Sequence, residues 1–275
     1  MHPAGLILPK QASTGSSYVT ANIIADYNGG DGSSYPGSGS TWYDLSPTGR
    51  DLTLSGTSYD GTYGSIDFSG SGSYSVAINQ IGLLPSDFRY LSAAQFSIEI
   101  WLKGNNFGAG LQSLAGQGFL WGSTGTTYWQ WRLVNHYVGS DAYIQCYVIK
   151  SNTERSSWYL LNNDSGYTSS FANSTWYQFV FTYDGTTGTY GTWTAYQNGS
   201  DVGGTDSGST AAVSSFRTPN TSWDNFTVGA SMQTSTPTYY RNFNGNIAIF
   251  RIYDAILSST DVAQNWDYHK ATFGY

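Results

Sequence analysis

Alternation of apolar and polar positions is the strongest pattern in this chain. Over residues 95–103 it is unbroken. Phe96, Ile98, Ile100 and Leu102 fall on one face of an extended strand, and Ser97, Glu99, Trp101 and Lys103 on the other. Residues 176–183 repeat it, with Tyr177, Phe179, Phe181 and Tyr183 on a common face. Further strands are predicted over 23–27, 65–68, 74–78, 127–134, 142–150, 157–161, 190–197, 226–229 and 246–253. The second and third of these flank a Ser/Gly turn at 69–72. Asn198-Gly199 is a hairpin-turn signal.

One helix is predicted near the end of the sequence. Ser258 and Asp261 have capping-box spacing, and Val262, Trp266 and His269 then form a stripe at i, i+4, i+7. A helix of about ten residues with one such stripe lies on a sheet surface. About a dozen strands punctuated by turns predict an all-β sandwich of two antiparallel sheets with this single short helix. Residues 1–18 carry Pro3, Pro9 and a polar run at 13–17; they read either as a loose terminus or as an extended arm docked on its own domain or on a neighbouring subunit, and are assigned here as a docking arm. Residues 19–275 read as one sandwich domain.

Composition supports that picture and removes several function classes. The 275 residues include 38 Ser, 29 Thr, 33 Gly and 17% aromatics, but two Glu and four Lys. Helix surfaces are normally built from Glu and Lys, strand surfaces from Thr, Tyr and Trp. Net charge is −7 and no basic run occurs, so a nucleic-acid partner is not expected. No apolar run approaches the ~20 residues of a membrane span. Leu6-Ile7-Leu8 is shorter than a signal-peptide core. The lone Cys146 excludes an intrachain disulfide.

Catalytic signatures are absent. Sandwich glucanases place two carboxylates about a glycosidic bond, commonly within one strand as Glu-x-Asp-x-x-Glu. The only glutamates are Glu99 and Glu154, and Glu99 is followed by Ile100, Trp101 and Leu102. Glu99 therefore reads as a structural residue, and the chain as a non-enzyme. No nucleophile elbow, zinc motif or phosphate loop occurs. Asp31-Gly32, Asp60-Gly61 and Asp184-Gly185 are compatible with calcium-holding loops, but Asp-Gly is ordinary turn chemistry and no calcium motif accompanies it. No cofactor is assigned.

Aromatic side chains can stack on the apolar faces of sugar rings while neighbouring polar groups bind hydroxyls. Trp121, Trp129 and Trp131 lie in the densest aromatic stretch, the last two on one face by period two. Trp42 and Tyr43 sit in a Gly/Ser-rich loop. These five are the carbohydrate-binding candidates. Burial of alternate residues in the core, or of Trp42 as a loop anchor, is the competing reading.

Two segments carry a family resemblance. Residues 27–46, ending Ser34-Tyr35-Pro36-Gly37-Ser38-Gly39-Ser40-Thr41-Trp42-Tyr43-Asp44-Leu45-Ser46, resemble the opening of concanavalin A-like, laminin G-like modules of bacteriophage virion proteins. Phe243-Asn244-Gly245-Asn246-Ile247-Ala248, Arg251-Ile252-Tyr253 and Ala255-Ile256-Leu257-Ser258 resemble the closing strand and helix, and residues 264–274 the usual tail. The likeness spans about residues 20–275. It implies a jelly-roll sandwich whose first and last strands pair beside the helix. Together with the arm and the missing catalytic residues, the likeness leads to the expectation of a virion structural protein on capsid or tail, oligomeric on the particle and docked to other virion proteins through residues 1–18, with weak adhesion to glycans as an added role. The alternative is a receptor-binding lectin of a tail fibre. The aspartate-rich turn that some relatives have after the strand ending at Phe68 is replaced here by Ser69-Gly70-Ser71-Gly72-Ser73-Tyr74, so no calcium site is carried over.

Overall fold

The computed structural model describes residues 17–69, 76–78, 95–119, 128–138, 141–151, 154–160, 171–206, 209, 211, 226–232 and 239–275. Among them the chain forms two antiparallel-dominated sheets, numbered here in chain order. The first runs β14 (Ser200–Asp201), β13 (Thr192–Gln197), β12 (Trp176–Asp184), β7 (Gln95–Gly104), β19 (Gly245–Tyr253), β5 (Ser65–Asp67), β4 (Ser58–Asp60). β1 (Ile23–Asn28) joins it by pairing with β19, so β5 and β1 share one side of β19 while β7 takes the other. The second runs β15 (Thr205–Asp206), β11 (Glu154–Leu160), β10 (Asp141–Ser151), β9 (Tyr128–Val138), β8 (Gln112–Phe119), β16 (Phe226–Val228), β6 (Val76–Ile78), β3 (Leu52–Ser55), β2 (Thr41–Trp42). β17 (Ser231–Met232) and β18 (Tyr239–Tyr240) extend its β8 side.

The jelly-roll-like sandwich and its first-to-last strand pairing are as the sequence implies. The alternation in β7 holds: Phe96, Ile98, Ile100 and Leu102 lie in the core between the sheets. The Asn198-Gly199 turn joins β13 to β14 with both residues at positive φ, 52° and 78°, as a type I′ turn requires. Two expectations need adjustment. The strands on either side of residues 69–72 separate, β5 into the first sheet and β6 into the second. β8 was not expected at all. Its sequence, QSLAGQGF, lacks β-branched residues and is held by its neighbours β9 and β16 rather than by propensity.

The predicted helix is α1, Ser259–His269, followed by a 3-10 turn, η1, at Lys270–Phe273. Both arms of the capping box form: Ser258 Oγ accepts from Asp261 N (3.2 Å), and Asp261 Oδ2 accepts from Ser258 N (2.9 Å). The helix covers the outer face of the first sheet. Val262, Asn265 and His269 are its buried residues. Trp266 stacks on Trp101 (5.1 Å between centroids, 8° between planes), and Phe273 packs on the same ring at 4.5 Å. Ser97, Glu99 and Trp101, the polar-leaning face of β7, are therefore covered as completely as its apolar face.

Arg251 is the centre of that covered layer. Its Nε donates to Asp26 Oδ1 (2.8 Å), its Nη1 lies 3.4 Å from Glu99 Oε2, and its Nη2 lies 3.0 Å from His269 Nε2. Burial alone would lower its proton affinity, but Asp26 and Glu99 outweigh burial and the guanidinium stays charged at any accessible pH. Glu99 also accepts from Trp101 Nε1 (3.0 Å), Gln178 Nε2 (2.8 Å) and Asn265 Nδ2 (2.8 Å). The Tyr18 ring lies over Arg251 at 3.8 Å, and its hydroxyl donates to Asp26 Oδ2 (2.7 Å). Val19 N donates to Asn265 Oδ1, and Gln264 Nε2 to Ser17 O. Ser17 and Tyr18, which the sequence reading puts in the arm, thus sit on the sandwich. Residues 1–16 of the arm lie outside the described residues.

Candidate functional site

The sequence candidates do not come together. Trp42 and Trp131 are fully buried, and this corrects their assignment to a sugar-binding surface. Trp42 packs against Tyr27 at 5.6 Å, and Trp131 lies parallel to Phe250 at 6.3 Å. Large flat rings with the most apolar area were taken by the core. Trp129 lies in β9 opposite Gly118, across a register shift from the Trp131–Gln117 pair. Period two therefore does not carry from one Trp to the other, and the side chain of Trp129 lies outside the described ones. Trp121 lies outside the described residues.

Tyr43 is exposed (43%). It stands on a loop organised by Asp44. The Asp44 carboxylate accepts from the backbone of Asp26, Ser46 and Arg50, each at 2.9 Å, and from the Ser46 and Thr48 hydroxyls at 2.8 and 2.9 Å. The Trp-Tyr-Asp-Leu-Ser motif is thus a core anchor, an exposed ring and a loop staple in succession. The Asp-Gly positions likewise do local work. Asp31, Asp60 and Asp184 each accept from a backbone N–H two residues on, at 2.8–2.9 Å. Hydrogen bonds from Thr186 hold the Asp184 carboxyl below its usual range. Among the described residues, no three carboxylate, histidine or cysteine side chains gather to hold a metal ion.

The outer face of the second sheet has a different chemistry. In β10, Ala142, Ile144, Cys146 and Val148 enter the core, so Tyr143, Gln145 and Tyr147 point the other way. In β9, Trp131 and Leu133 point inward, and Arg132, Val134 and His136 outward. The ladder registers arrange these residues in rows. Thr227, Gly116, Arg132, Tyr147 and Ser157 form one row; Ser113, Val134, Gln145 and Tyr159 form the next; His136 and Tyr143 begin a third. Gly116 lets β9 approach closely. A Cβ there would meet Trp131 O at 3.1 Å and Arg132 Cβ at 3.2 Å.

Val134 and Gln145 at the centre are fully buried, while Arg132, His136, Tyr143, Tyr147 and Tyr159 around them are half-buried. The Arg132 guanidinium lies over the Tyr147 ring at 4.2 Å. Tyr159 lies 5.2 Å from Tyr143 and 6.4 Å from His136 between ring centroids. Arg241, just past β18, is fastened to β8, its carbonyl accepting from Ser113 N at 2.6 Å.

The basic side chains described here act on one another. Burial pulls Arg132 down to about 10; Tyr147 resists the shift and Arg241 adds to it. Burial also pulls His136 below the usual imidazole range. A hydrogen bond with Gln145 opposes that shift, and the charges of Arg132 and Arg241 reinforce it. Burial raises the Tyr147 hydroxyl, against the pull of Arg132. The sequence reading missed this group. Its signal was the interleaving of Arg132, Val134 and His136 with Trp131 and Leu133, one strand away from Tyr143, Gln145 and Tyr147.

A family profile described as the concanavalin A-like lectin/glucanases superfamily matches residues 60–263. The chain belongs to that superfamily. Its sandwich is thus a lectin/glucanase-like, carbohydrate-binding type of fold. No curated protein matches this concanavalin A-like chain in sequence. Among solved structures it is similar to Trypanosoma rangeli sialidase in complex with sialic acid (TM-score 0.56, 15% identity, 95% of this chain and 35% of the sialidase). The chain spans about a third of the length of that enzyme. It is also similar to domain 4 of AbnA, an extracellular arabinanase from Geobacillus stearothermophilus, in complex with arabinotriose (TM-score 0.54, 16% identity, 90% and 99% covered). The botulinum neurotoxin serotype C1 binding domain is a third (TM-score 0.53, 11% identity, 90% and 52%). At these identities the likeness is one of fold.

Proposed function

We propose that this chain is a non-catalytic carbohydrate-binding module of a bacteriophage particle, displayed in several copies and attached to other virion proteins through its N-terminal residues. The observation that carries the carbohydrate part is the outer face of the second sheet. Tyr143, Tyr147 and Tyr159 offer rings to the C–H faces of a sugar, and the half-buried Arg132 and His136 beside them are the polar groups nearest to its substituents. Arabinotriose bound to a domain of the same fold and of matching length is consistent with such a role.

The non-catalytic part rests on Glu99, one of the two glutamates. It is buried and committed to Arg251, Gln178, Trp101 and Asn265, far from the posture of a general acid. The virion setting rests on the resemblance of residues 27–46 and 243–274 to virion modules. Within that setting the polar, aromatic face favours adhesion over a purely structural decoration, and a receptor-binding lectin of a tail fibre would use the same residues.

A glycan array probed with the full chain tests the binding reading. Binding that falls at least tenfold in Tyr147→Ala is expected, and a blank array overturns it. Removing residues 1–16 leaves Tyr18 on Arg251 and should abolish attachment to the particle with the sandwich still folded. Normal attachment of that variant overturns the docking role of the arm.

A further inference from the structure

Asn-Gly occurs at residues 28–29, 198–199 and 244–245. An asparagine amide beside the unhindered N–H of a glycine is the arrangement most open to cyclisation and deamidation. The fold cannot exchange these glycines. A Cβ would meet Gly64 O at 2.6 Å from Gly29, the Trp266 ring at 2.7 Å from Gly199 and Lys103 O at 2.2 Å from Gly245. The surroundings differ, however. Gly29 N donates to backbone, Ala248 O, at 2.9 Å. Gly199 N donates to a side chain, Gln178 Oε1, at 3.0 Å. The half-buried Asn198 gives its Nδ2 to the Tyr275 hydroxyl (3.3 Å), and its Oδ1 accepts from Gln178 N (3.0 Å). We infer that Asn198 is a modification site, where spontaneous deamidation is restrained by the Gln178 side chain and the Tyr275 hydroxyl and proceeds once they let go. The inference is independent of the carbohydrate-binding reading.

The step needs only water. Gly199 N loses its proton to solvent hydroxide and bonds to Asn198 Cγ. The Cγ–Nδ2 bond breaks, and the nitrogen takes a proton from water and leaves as ammonia. Water then opens the succinimide ring at either carbonyl. One opening leaves aspartate; the other leaves isoaspartate, whose main chain is longer by one carbon. Nothing is oxidised or reduced. Each hydrogen bond opposes one part of this course. Gln178 Oε1 holds the proton that the nucleophile must lose. Gln178 N and the Tyr275 hydroxyl hold both ends of the carboxamide, so that its carbon does not turn toward Gly199 N. The guards are themselves fixed. Gln178 Nε2 donates to Glu99 Oε1 (2.8 Å), while the Tyr275 hydroxyl donates to Trp176 O and its ring packs on Trp266 at 4.7 Å. Modification acts back on that layer. A longer main chain does not fit a two-residue turn with φ of 52° and 78°, and moving Gly199 N leaves Gln178 Oε1 without its donor.

Peptide mapping by mass spectrometry follows aspartate and isoaspartate at Asn28, Asn198 and Asn244 of the full chain at mildly alkaline pH, with the urea-unfolded chain as reference. Folded, Asn198 should react at least about tenfold more slowly than in urea, as hydrogen bonds of ordinary strength require. Tyr275→Phe keeps the ring and removes the hydroxyl. It should raise the folded rate at Asn198 about threefold, with Asn28 and Asn244 unchanged. Gln178→Met should raise it about tenfold; if that variant does not fold, Tyr275→Phe decides. Equal rates at Asn198 in the folded and unfolded chain overturn the inference. So does an unchanged rate in Tyr275→Phe, or an equal rise at all three asparagines, which is the mark of a generally loosened fold.

Discussion

Each outer face of the sandwich seats an arginine against a tyrosine ring, and the two faces treat that arginine in opposite ways. On the first sheet Arg251 lies 3.8 Å from the Tyr18 ring with Asp26 and Glu99 bonded to it, and its proton affinity is raised. On the second sheet Arg132 lies 4.2 Å from the Tyr147 ring with Arg241 nearby, and its proton affinity is lowered to about 10. The ring is the same device in both; the sign of the neighbouring charge differs. Where carboxylates surround the guanidinium, helix α1 closes over it and the group acts as a rivet between β1, β7, β19 and the helix. Where Arg241 is the charged neighbour, the guanidinium keeps its seat on Tyr147 with a lowered proton affinity.

The most severe way to break this comparison is to remove the rivet. Arg251→Met leaves Asp26 and Glu99 buried without their cation, and should cost about 3–5 kcal/mol in urea unfolding. A loss under about 1 kcal/mol would mean that the network only decorates the layer. Arg132→Met removes a desolvated charge together with its ring contact and hydrogen bond to Tyr147, so its unfolding free energy should fall by about 1–2 kcal/mol, less than for Arg251→Met. A loss as large as that of Arg251→Met would make the second face another structural layer.

A smaller effect tests the charge directly. His136 faces Arg132 on its own strand, Tyr143 and Gln145 on β10, Tyr159 on β11, and the charge of Arg241. Its folded proton affinity lies below the unfolded value near 6.5. Between those values the unfolded chain binds more protons, so stability falls as pH falls through that window. Between pH 7 and 5 the native protein should therefore lose more stability than His136→Gln. Equal losses would show that the imidazole does not feel the cluster. The smallest effect belongs to a residue outside both faces. Tyr43→Ala, exposed on the Asp44 loop, should change stability by no more than about 0.5 kcal/mol and leave glycan binding intact. Loss of binding in that variant would move the site from the sheet face to the loop.

Much of the frame was legible in the sequence, because period two survives wherever one face of a strand enters the core. The strands at Phe96 and Phe179, the Asn198-Gly199 turn and the Ser258 capping box each carry a local physical cause. What lay hidden depended on pairing. Alternation separates Glu99 from Ile100, yet it cannot say that α1 buries the polar side as thoroughly as the apolar one. Aromatic density singled out Trp42 and Trp131, but the feature that makes indole attractive to a sugar, its apolar area, also draws it inside. Arg132 and Arg241 are far apart in sequence, and only the β8–β9 register and the backbone bond from Ser113 to Arg241 bring their charges onto one face.

The pairing of β1 with β19 carries a kinetic consequence. Asp26 and Arg251 are 225 positions apart, so β1 is made first and finds its partner only when β19 emerges. Until then the growing chain holds Asp26 and Glu99 without their cation, and β7 without one of its neighbours. Contacts of such long range slow folding, into the millisecond-to-second range for sandwiches of this kind. An incomplete chain therefore exposes bare strand edges that recruit other copies. Refolding should be slow and sensitive to protein concentration, with assembly of the native sandwich gated by the arrival of one strand.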